Sequence, residues 1–133
     1  MVPFDTTTRF KVMNDGLLYA SSGVQTNCGG IAAILARIEE SDSDAIEFIA
    51  AEKEGWQGNP DADFDVPGGR VPELFRSAVF KGALSAFQQH GITRGICFIL
   101  IEALVHAIDA RESKFFEAGS RLADGWLSLR RES

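Results

Sequence analysis

An apolar run in the second half of the chain constrains the fold more than any other feature. It reads GICFILIEALVHA, residues 95–107, and both of its alternating sets of side chains are apolar. The two sets are Ile96, Phe98 and Leu100, and Cys97, Ile99 and Ile101. A strand that is apolar on both faces has to be covered on both sides. We therefore expect this run to be a central strand of a sheet.

A helix is predicted immediately before this strand. Pro72 suits the first position of a helix, and Gly91 suits its end. Apolar residues between them recur at helical spacing and define one face. They are Leu74, Phe75, Ala78, Val79, Ala83, Ala86 and Phe87.

A second helix is predicted after the strand. Asp109 is the expected N-cap, and Glu112, three residues later, completes an arrangement like a capping box. The helical face that follows contains Phe115, Phe116, Gly119, Leu122, Ala123 and Trp126. The terminal stretch WLSLRR, with Trp126, Leu127 and Leu129, is either a contact surface or core packing with incidental exposure of its leucines.

The first half of the chain favours strands. RFKVMN, the turn NDG and LLYASSGVQ together predict a hairpin, and AIEFIAAE alternates as a further strand. The stretch GGIAAILARIE is rich in alanine, which would suit a helix. Because Gly29 and Gly30 stand at its start and ESDSD ends it after about nine residues, we predict a strand. Residues 53–69, KEGWQGNPDADFDVPGG, are predicted to be a loop. The order is β-β-β-β, loop, α, β, α, which indicates one α+β domain over residues 1–133.

Charge and composition limit the function classes. The net charge is -6, and residues 1–70 carry 12 acidic and five basic side chains, which disfavours binding of nucleic acid by the whole surface. The basic residues of the second half form either a local patch or a solvated helix face. They are Arg111, Lys114, Arg121, Arg130 and Arg131.

The location of the protein is inferred from what the sequence lacks. No apolar run has the length of a membrane span, and the first residues do not have the pattern of a signal peptide. Cys28 and Cys97 are isolated, so free thiols are the simplest interpretation, although one disulfide stays open. We expect a cytoplasmic protein with no membrane partner.

The junction VHAIDARESKFFEAGS, residues 105–120, holds the best candidates for a site. His106 and Asp109 lie where the apolar strand passes into the helix, but no nucleophile stands at a recognisable spacing from them. A metal site needs more ligands, and His90 is the one other histidine. The sequence has no Gly-x-x-x-x-Gly-Lys-Ser/Thr phosphate loop. We therefore expect no enzyme activity, no metal and no cofactor.

From about residue 63 to 126 the chain resembles domain IV of elongation factor G and its ribosome-protection relatives. The resemblance lies in DFDVPGGRVPELFRSAVFKGALSAFQQHGITRG, then ICFILIEAL, then VHAIDARESKFFEAGS, in that order and spacing. GVQTNCGGIAAILARIE fits the start of that domain more loosely. The resemblance implies a ribosomal protein S5 domain 2-like α+β sandwich, with a sheet of about four strands and two main helices packed on one face.

The resemblance also implies a function. In the full-length factor, the loops at the tip of this domain reach the decoding region of the small ribosomal subunit. The corresponding residues here are His106, Asp109 and Arg111, with Gln25, Gly29 and Gly30 beside them. The expectation is a non-enzymatic, translation-factor-like binding domain that contacts the ribosome or its RNA. The alternative is an acidic protein-interaction or self-associating module, a homo-oligomer included, on the same fold. An enzyme of the same fold class is the third interpretation.

Overall fold

The computed structural model describes residues 9–13, 16–23, 31–50, 73–104 and 111–131. Its elements are β1 (Phe10–Val12), β2 (Leu18–Gly23), β3 (Ile31–Glu40), β4 (Ile46–Ala50), α1 (Glu73–Gln89), β5 (Ile96–Leu104) and α2 (Glu112–Arg131). This order confirms the predicted sequence of elements and the α+β class. The predicted loop at 53–69 lies outside the described residues.

The strands form one mixed sheet in the order β1-β2-β3-β5-β4. β4 runs parallel to β5, and the other pairs are antiparallel. The expectation of about four strands is wrong by one, because the three-residue β1 adds an edge strand through the pairing of Phe10 with Ala20. β5 has a neighbour on each side, which confirms that the apolar run is a central strand.

The antiparallel pairing of β1 with β2 confirms the predicted hairpin. Val12 pairs with Leu18, and the Met13 amide donates to the Leu17 carbonyl across the connection at 2.7 Å. Gly16 has a φ of 77°, a backbone conformation that residues with a Cβ rarely adopt. Asn14 and Asp15 of the predicted turn lie outside the described residues.

The alternation along β3 and β5 separates the two faces of the sheet. On one face, buried residues of both strands join the helices in the main core; examples are Ile34, Phe98 and Leu100. The register shifts between Leu35 and Ala36, where β3 leaves its regular pairing with β5. The opposite face has a smaller buried cluster of Tyr19, Ala33 and Leu35.

The two helices pack side by side on the main core. α2 lies across β2 and β3. α1 covers β4 and β5, with the Phe80 ring 5.1 Å from Phe48 and 6.1 Å from Phe98. Phe75 stacks on Phe115 at 4.7 Å near the starts of the helices, so α1 and α2 run in the same direction. Neither described helix is long and apolar enough to cross a membrane.

Two residues assigned to the apolar helix faces are exposed large apolar side chains. Leu74 is 56% exposed and Phe116 is 39% exposed. Leu74 falls just outside the buried stripe of α1, which starts at Phe75 and continues one turn later through Ala78 and Val79. Phe116 faces the groove between the helices, where Ala78 is its neighbour. These two members of the predicted apolar faces therefore lie outside the buried core.

The close approach of α1 and α2 depends on two glycines. A Cβ on Gly82 would overlap the backbone carbonyl of Phe116, and a Cβ on Gly119 would overlap the backbone carbonyl of Val79. Each helix therefore presents a glycine to the backbone of the other. Small residues at a helix crossing allow the axes to approach closely, and this crossing admits no side chain at either position.

The end of α1 confirms the predicted role of Gly91. Its φ is 75°, and its amide donates to the Gln88 carbonyl at 3.0 Å. The Ile92 amide donates to the Phe87 carbonyl at 2.9 Å, which completes a Schellman motif, and the Ile92 side chain packs on the core. Pro72, the predicted first residue of the helix, lies outside the described residues.

We predict that Gly119→Ala destabilises the protein by at least about 2 kcal/mol, because overpacking against the Val79 backbone outweighs the gain in helix propensity of about 1 kcal/mol. Gly125→Ala is the matched control in the same helix. Its new methyl group would meet the Phe10 ring, which can shift, rather than backbone. Urea unfolding measures both. Equal stability of the two variants would contradict a glycine-dependent crossing.

Candidate functional site

One end of the sheet gathers the residues that border both candidate loops. Gly23 ends β2 and pairs with Ile31, which begins β3. Leu104 ends β5 and pairs with Ala33, two residues into β3. α2 begins at Glu112 on the helix layer above. The segments 24–30 and 105–110 are therefore bordered by residues from the same end of the sheet, which we call the loop end.

Most of the predicted site residues lie outside the described residues. These are Gln25, Gly29, Gly30, His106 and Asp109. Arg111 is described and exposed, directly before α2. Cys28, whose reactivity the sequence left open, also lies outside them.

Arg111 occupies the N-cap position of α2. Its carbonyl accepts hydrogen bonds from the amides of Lys114 at 3.0 Å and Phe115 at 3.2 Å, and helical structure starts at Glu112. The N-cap predicted at Asp109 is therefore two residues too early. Glu112 is in the first helical position rather than the third, so it does not form the predicted capping box, although its charge still suits a helix N-terminus.

A set of polar contacts fastens α2 to the last residues of β2. The Ser22 hydroxyl donates to Glu117 Oε1 at 2.6 Å. Arg121 donates from Nη1 to the Ser21 carbonyl. Arg9 donates from Nη1 to the Gly23 carbonyl at 2.7 Å. We call Arg9, Ser22, Glu117 and Arg121 the β2 clamp, because together they hold the strand at the loop end.

The clamp changes the acidity of Glu117. The hydrogen bond from Ser22 lowers the pKa of this carboxyl group; burial opposes the shift, and the Lys114 ammonium, 3.4 Å from Oε1, adds to it. Glu117 is therefore a weaker base than an isolated glutamate. A weak base accepts a proton poorly at neutral pH, so this carboxylate is better suited to holding Ser22 than to general-base catalysis.

The chemistry of the clamp is that of a structural contact. Ser22 is only 1% exposed, so its hydroxyl cannot reach a substrate. Among the residues that the structure describes, no group of three or more histidine, cysteine, aspartate or glutamate side chains could hold a metal ion. The clamp can instead fix the backbone from which residues 24–30 extend.

Acidic residues gather at the opposite end of the sheet. Exposed carboxylates lie on the last residues of β3, the following turn and β4. They are Glu39, Glu40, Asp42, Asp44 and Glu47. Arg130 pairs with Glu40 there and lies over the Trp126 ring, 4.8 Å from its centroid. The basic residues of α2 therefore do not form one patch, since Arg130 lies roughly 28 Å along the helix from Arg111.

His90, the second histidine, lies in a contact between the helices. Its Nε2 atom is 3.1 Å from Oδ1 of Asp124. Phe87 and Trp126 meet edge to face nearby, with their ring centroids 6.2 Å apart. These contacts join the C-terminal half of α1 to α2, far from the loop end.

Cys97 is a free thiol on the sheet. Burial raises its pKa, and the carboxylates of Glu47 and Glu39 raise it further. Both glutamates occupy the paired positions on the two neighbouring strands. A thiol with a raised pKa is a poor nucleophile at neutral pH, so Cys97 is unsuited to covalent catalysis.

Sequence reasoning missed the clamp. One signal was present: Ser21 and Ser22 are adjacent polar residues in a strand that is otherwise apolar or small, and both are buried. Buried hydroxyl groups require hydrogen-bond partners. The sequence does not identify Glu117 as the partner of Ser22, because 95 positions separate them.

No protein-family model matches this chain, and no curated protein matches it significantly. The fold is similar to part of a crystal structure of a protein from Thermus thermophilus, with a TM-score of 0.56 and 14% sequence identity. The match covers 88% of this chain and 16% of the Thermus protein. At this identity the similarity concerns the fold alone, and this chain spans about a sixth of the length of the protein that it matches.

We predict that Ser22→Ala lowers the free energy of unfolding by about 1 kcal/mol at neutral pH, because it removes a hydrogen bond to a carboxylate that is 46% exposed and therefore partly screened. The folded-state pKa of Glu117 is below the ordinary value of 4.5. The contribution is therefore fully present above that value, and it is lost as the pH falls through the folded-state pKa.

Urea unfolding of the wild type, Ser22→Ala, Glu117→Ala and the double variant isolates the coupling between the two side chains. We expect the coupling to be larger at neutral pH than at acidic pH, because protonation of Glu117 removes the carboxylate charge that the Ser22 hydroxyl stabilises. A coupling that is equal at both pH values would show that the carboxylate charge is unimportant.

Proposed function

We propose that this chain is a non-enzymatic, translation-factor-like binding domain that contacts the ribosome or its RNA at the loop end. One observation carries the proposal: Gly23, Ile31, Leu104 and Arg111 border the two candidate segments and belong to one end of the sheet. The resemblance to domain IV of elongation factor G assigns its tip loops to the same two segments of sequence.

The charges of the described residues agree with this choice of end. Arg9, Arg111, Lys114 and Arg121 lie at or next to the loop end, where Glu112 and Glu117 are the acidic neighbours. The exposed carboxylates between Glu39 and Glu47 lie at the other end. A ligand with a phosphate backbone is repelled by the acidic end and meets its basic contacts at the loop end.

The clamp supports the proposal through rigidity. A binding loop is more effective when its supports are fixed before the ligand arrives, because less conformational freedom is lost on binding. Ser22, Arg121 and Arg9 hold the strand from which one candidate segment extends. The Arg111 carbonyl accepts the first hydrogen bonds of α2, the helix that follows the other segment.

The second candidate function is an acidic protein-interaction module. The exposed carboxylates of the turn after β3 and of β4 favour it, since they form a surface suited to a basic protein partner. The two candidates differ in which end of the sheet binds, so the same set of variants separates them.

The test is sedimentation of the purified protein with ribosomes and separated subunits at low and moderate salt. We expect binding to the small subunit that weakens with salt. His106→Ala combined with Arg111→Ala should weaken it further. Loss of one phosphate contact at Arg111 should reduce the slope of log K against log salt concentration by about 0.7 to 0.9.

Arg94→Ala is the matched control, because Arg94 is an exposed arginine directly before Gly95, whose carbonyl bonds to Ser41 at the acidic end. It should leave binding unchanged. Absence of binding at low salt, or equal weakening by Arg94→Ala and Arg111→Ala, would contradict the proposal and favour the acidic module.

A further inference from the structure

The outer surface of the helix layer has an apolar groove between α1 and α2. The groove has a volume of about 470 Å³ and is lined by Ala78, Lys81, Glu112, Ser113, Phe116 and Glu117. Leu74 lies one turn before Ala78 on α1. The exposed side chains of Leu74 and Phe116 thus lie on the two helices that form the groove.

The charges around the groove are of both signs. Lys81 on α1 and Glu112 on α2 line it, and neither forms an ion pair with any residue in the described part of the chain. Glu117 also lines the groove, but its carboxylate is bound to Ser22 and Lys114. One positive and one negative side chain are therefore left for an intermolecular contact.

We propose that this groove is the interface of a weak homodimer. A two-fold interface uses the same patch on both subunits, so the patch must be complementary to itself. An arrangement that stacks Phe116 on Phe116 of a second copy also allows Lys81 of each copy to face Glu112 of the other. Both Lys81–Glu112 pairs then form at once.

The charges that line the groove favour a second copy over other occupants, although the net charge of the chain opposes self-association. The chain carries a net charge of -6, so two copies repel each other through most of their surface. The groove is locally balanced, with one charge of each sign left for a partner. A strongly basic or strongly acidic partner would satisfy one of these charges and oppose the other, whereas a second copy satisfies both.

The dimer is expected to be weak, because its interface is small. Its apolar contact consists of two large side chains from each copy, far fewer than a permanent interface contains. Exposed ion pairs add little, typically less than about 1 kcal/mol each. Association is therefore expected in the micromolar to millimolar range and depends on protein concentration.

The test is sedimentation equilibrium of the full chain over concentrations from about 1 to 500 µM, a range suited to weak dimers. We expect the wild type to form dimers at the upper concentrations. Lys81→Glu and Glu112→Lys should each raise the dissociation constant about tenfold, because each sets like charges against each other twice in the dimer.

An equimolar mixture of these two variants gives the decisive result. In the mixed dimer each reversed side chain faces a side chain of opposite charge, so both pairs are restored and association should return to the wild-type level. Phe116→Ala should abolish dimerisation. Far-UV circular dichroism verifies that every variant is folded.

Two control variants change residues that lie away from the groove. Arg94→Glu changes the net charge as Lys81→Glu does, and Ile49→Ala removes an apolar side chain that is 46% exposed on β4. Both should dimerise like the wild type. A monomer at every concentration, or a mixture that remains monomeric, would overturn the proposal. Because the experiment contains no ribosomes, its result is independent of the proposed function.

Discussion

The close approach of α1 and α2 is the constraint on which the rest of the structure depends, with Gly82 against the Phe116 backbone and Gly119 against the Val79 backbone. The two helices form one layer because each accepts the backbone of the other where a side chain would otherwise stand. The close approach buries Val79, Ala83 and Leu122 beneath the crossing. An outer groove remains between the helices above this crossing. The Phe116 ring is exposed there because the backbone of Phe116, rather than its ring, packs against Gly82.

This layer gives the molecule two different ends. At the loop end, the clamp joins β2 to α2, and the N-cap at Arg111 starts the helix. At the other end, acidic side chains surround the turn between β3 and β4, and Glu40 forms an exposed ion pair with Arg130 in the last turn of α2. A scaffold with chemically different ends suits binding by one end. The groove of the proposed dimer adjoins the loop end, because Glu112 and Ser113 at the start of α2 line it.

The order of elements was predictable because it depends on local signals. Gly91 ends a helix wherever it stands, and alternation in the apolar run favours a central strand in any context. Features that depend on distant residues were not predictable. The partner of Ser22 depends on how α2 packs on β2. The exposure of Leu74 and the need for glycine at position 82 depend on how the two helices cross. The N-cap was misplaced because Asp109 has the better capping side chain, whereas helical structure begins at Glu112 and puts Arg111 at the N-cap position. Of the candidate site, the two segments remain a prediction from the sequence, and the structure describes the residues that border them.

Hydrogen exchange of the protein, alone and with small ribosomal subunits, tests the central claim most directly. The account predicts that amides bordering the candidate segments, such as Gly23 and those from Glu112 to Phe115, gain protection on binding. The turn at residues 41–45 should be unchanged. Protection confined to that turn, or no change at any amide, would contradict binding through the loop end.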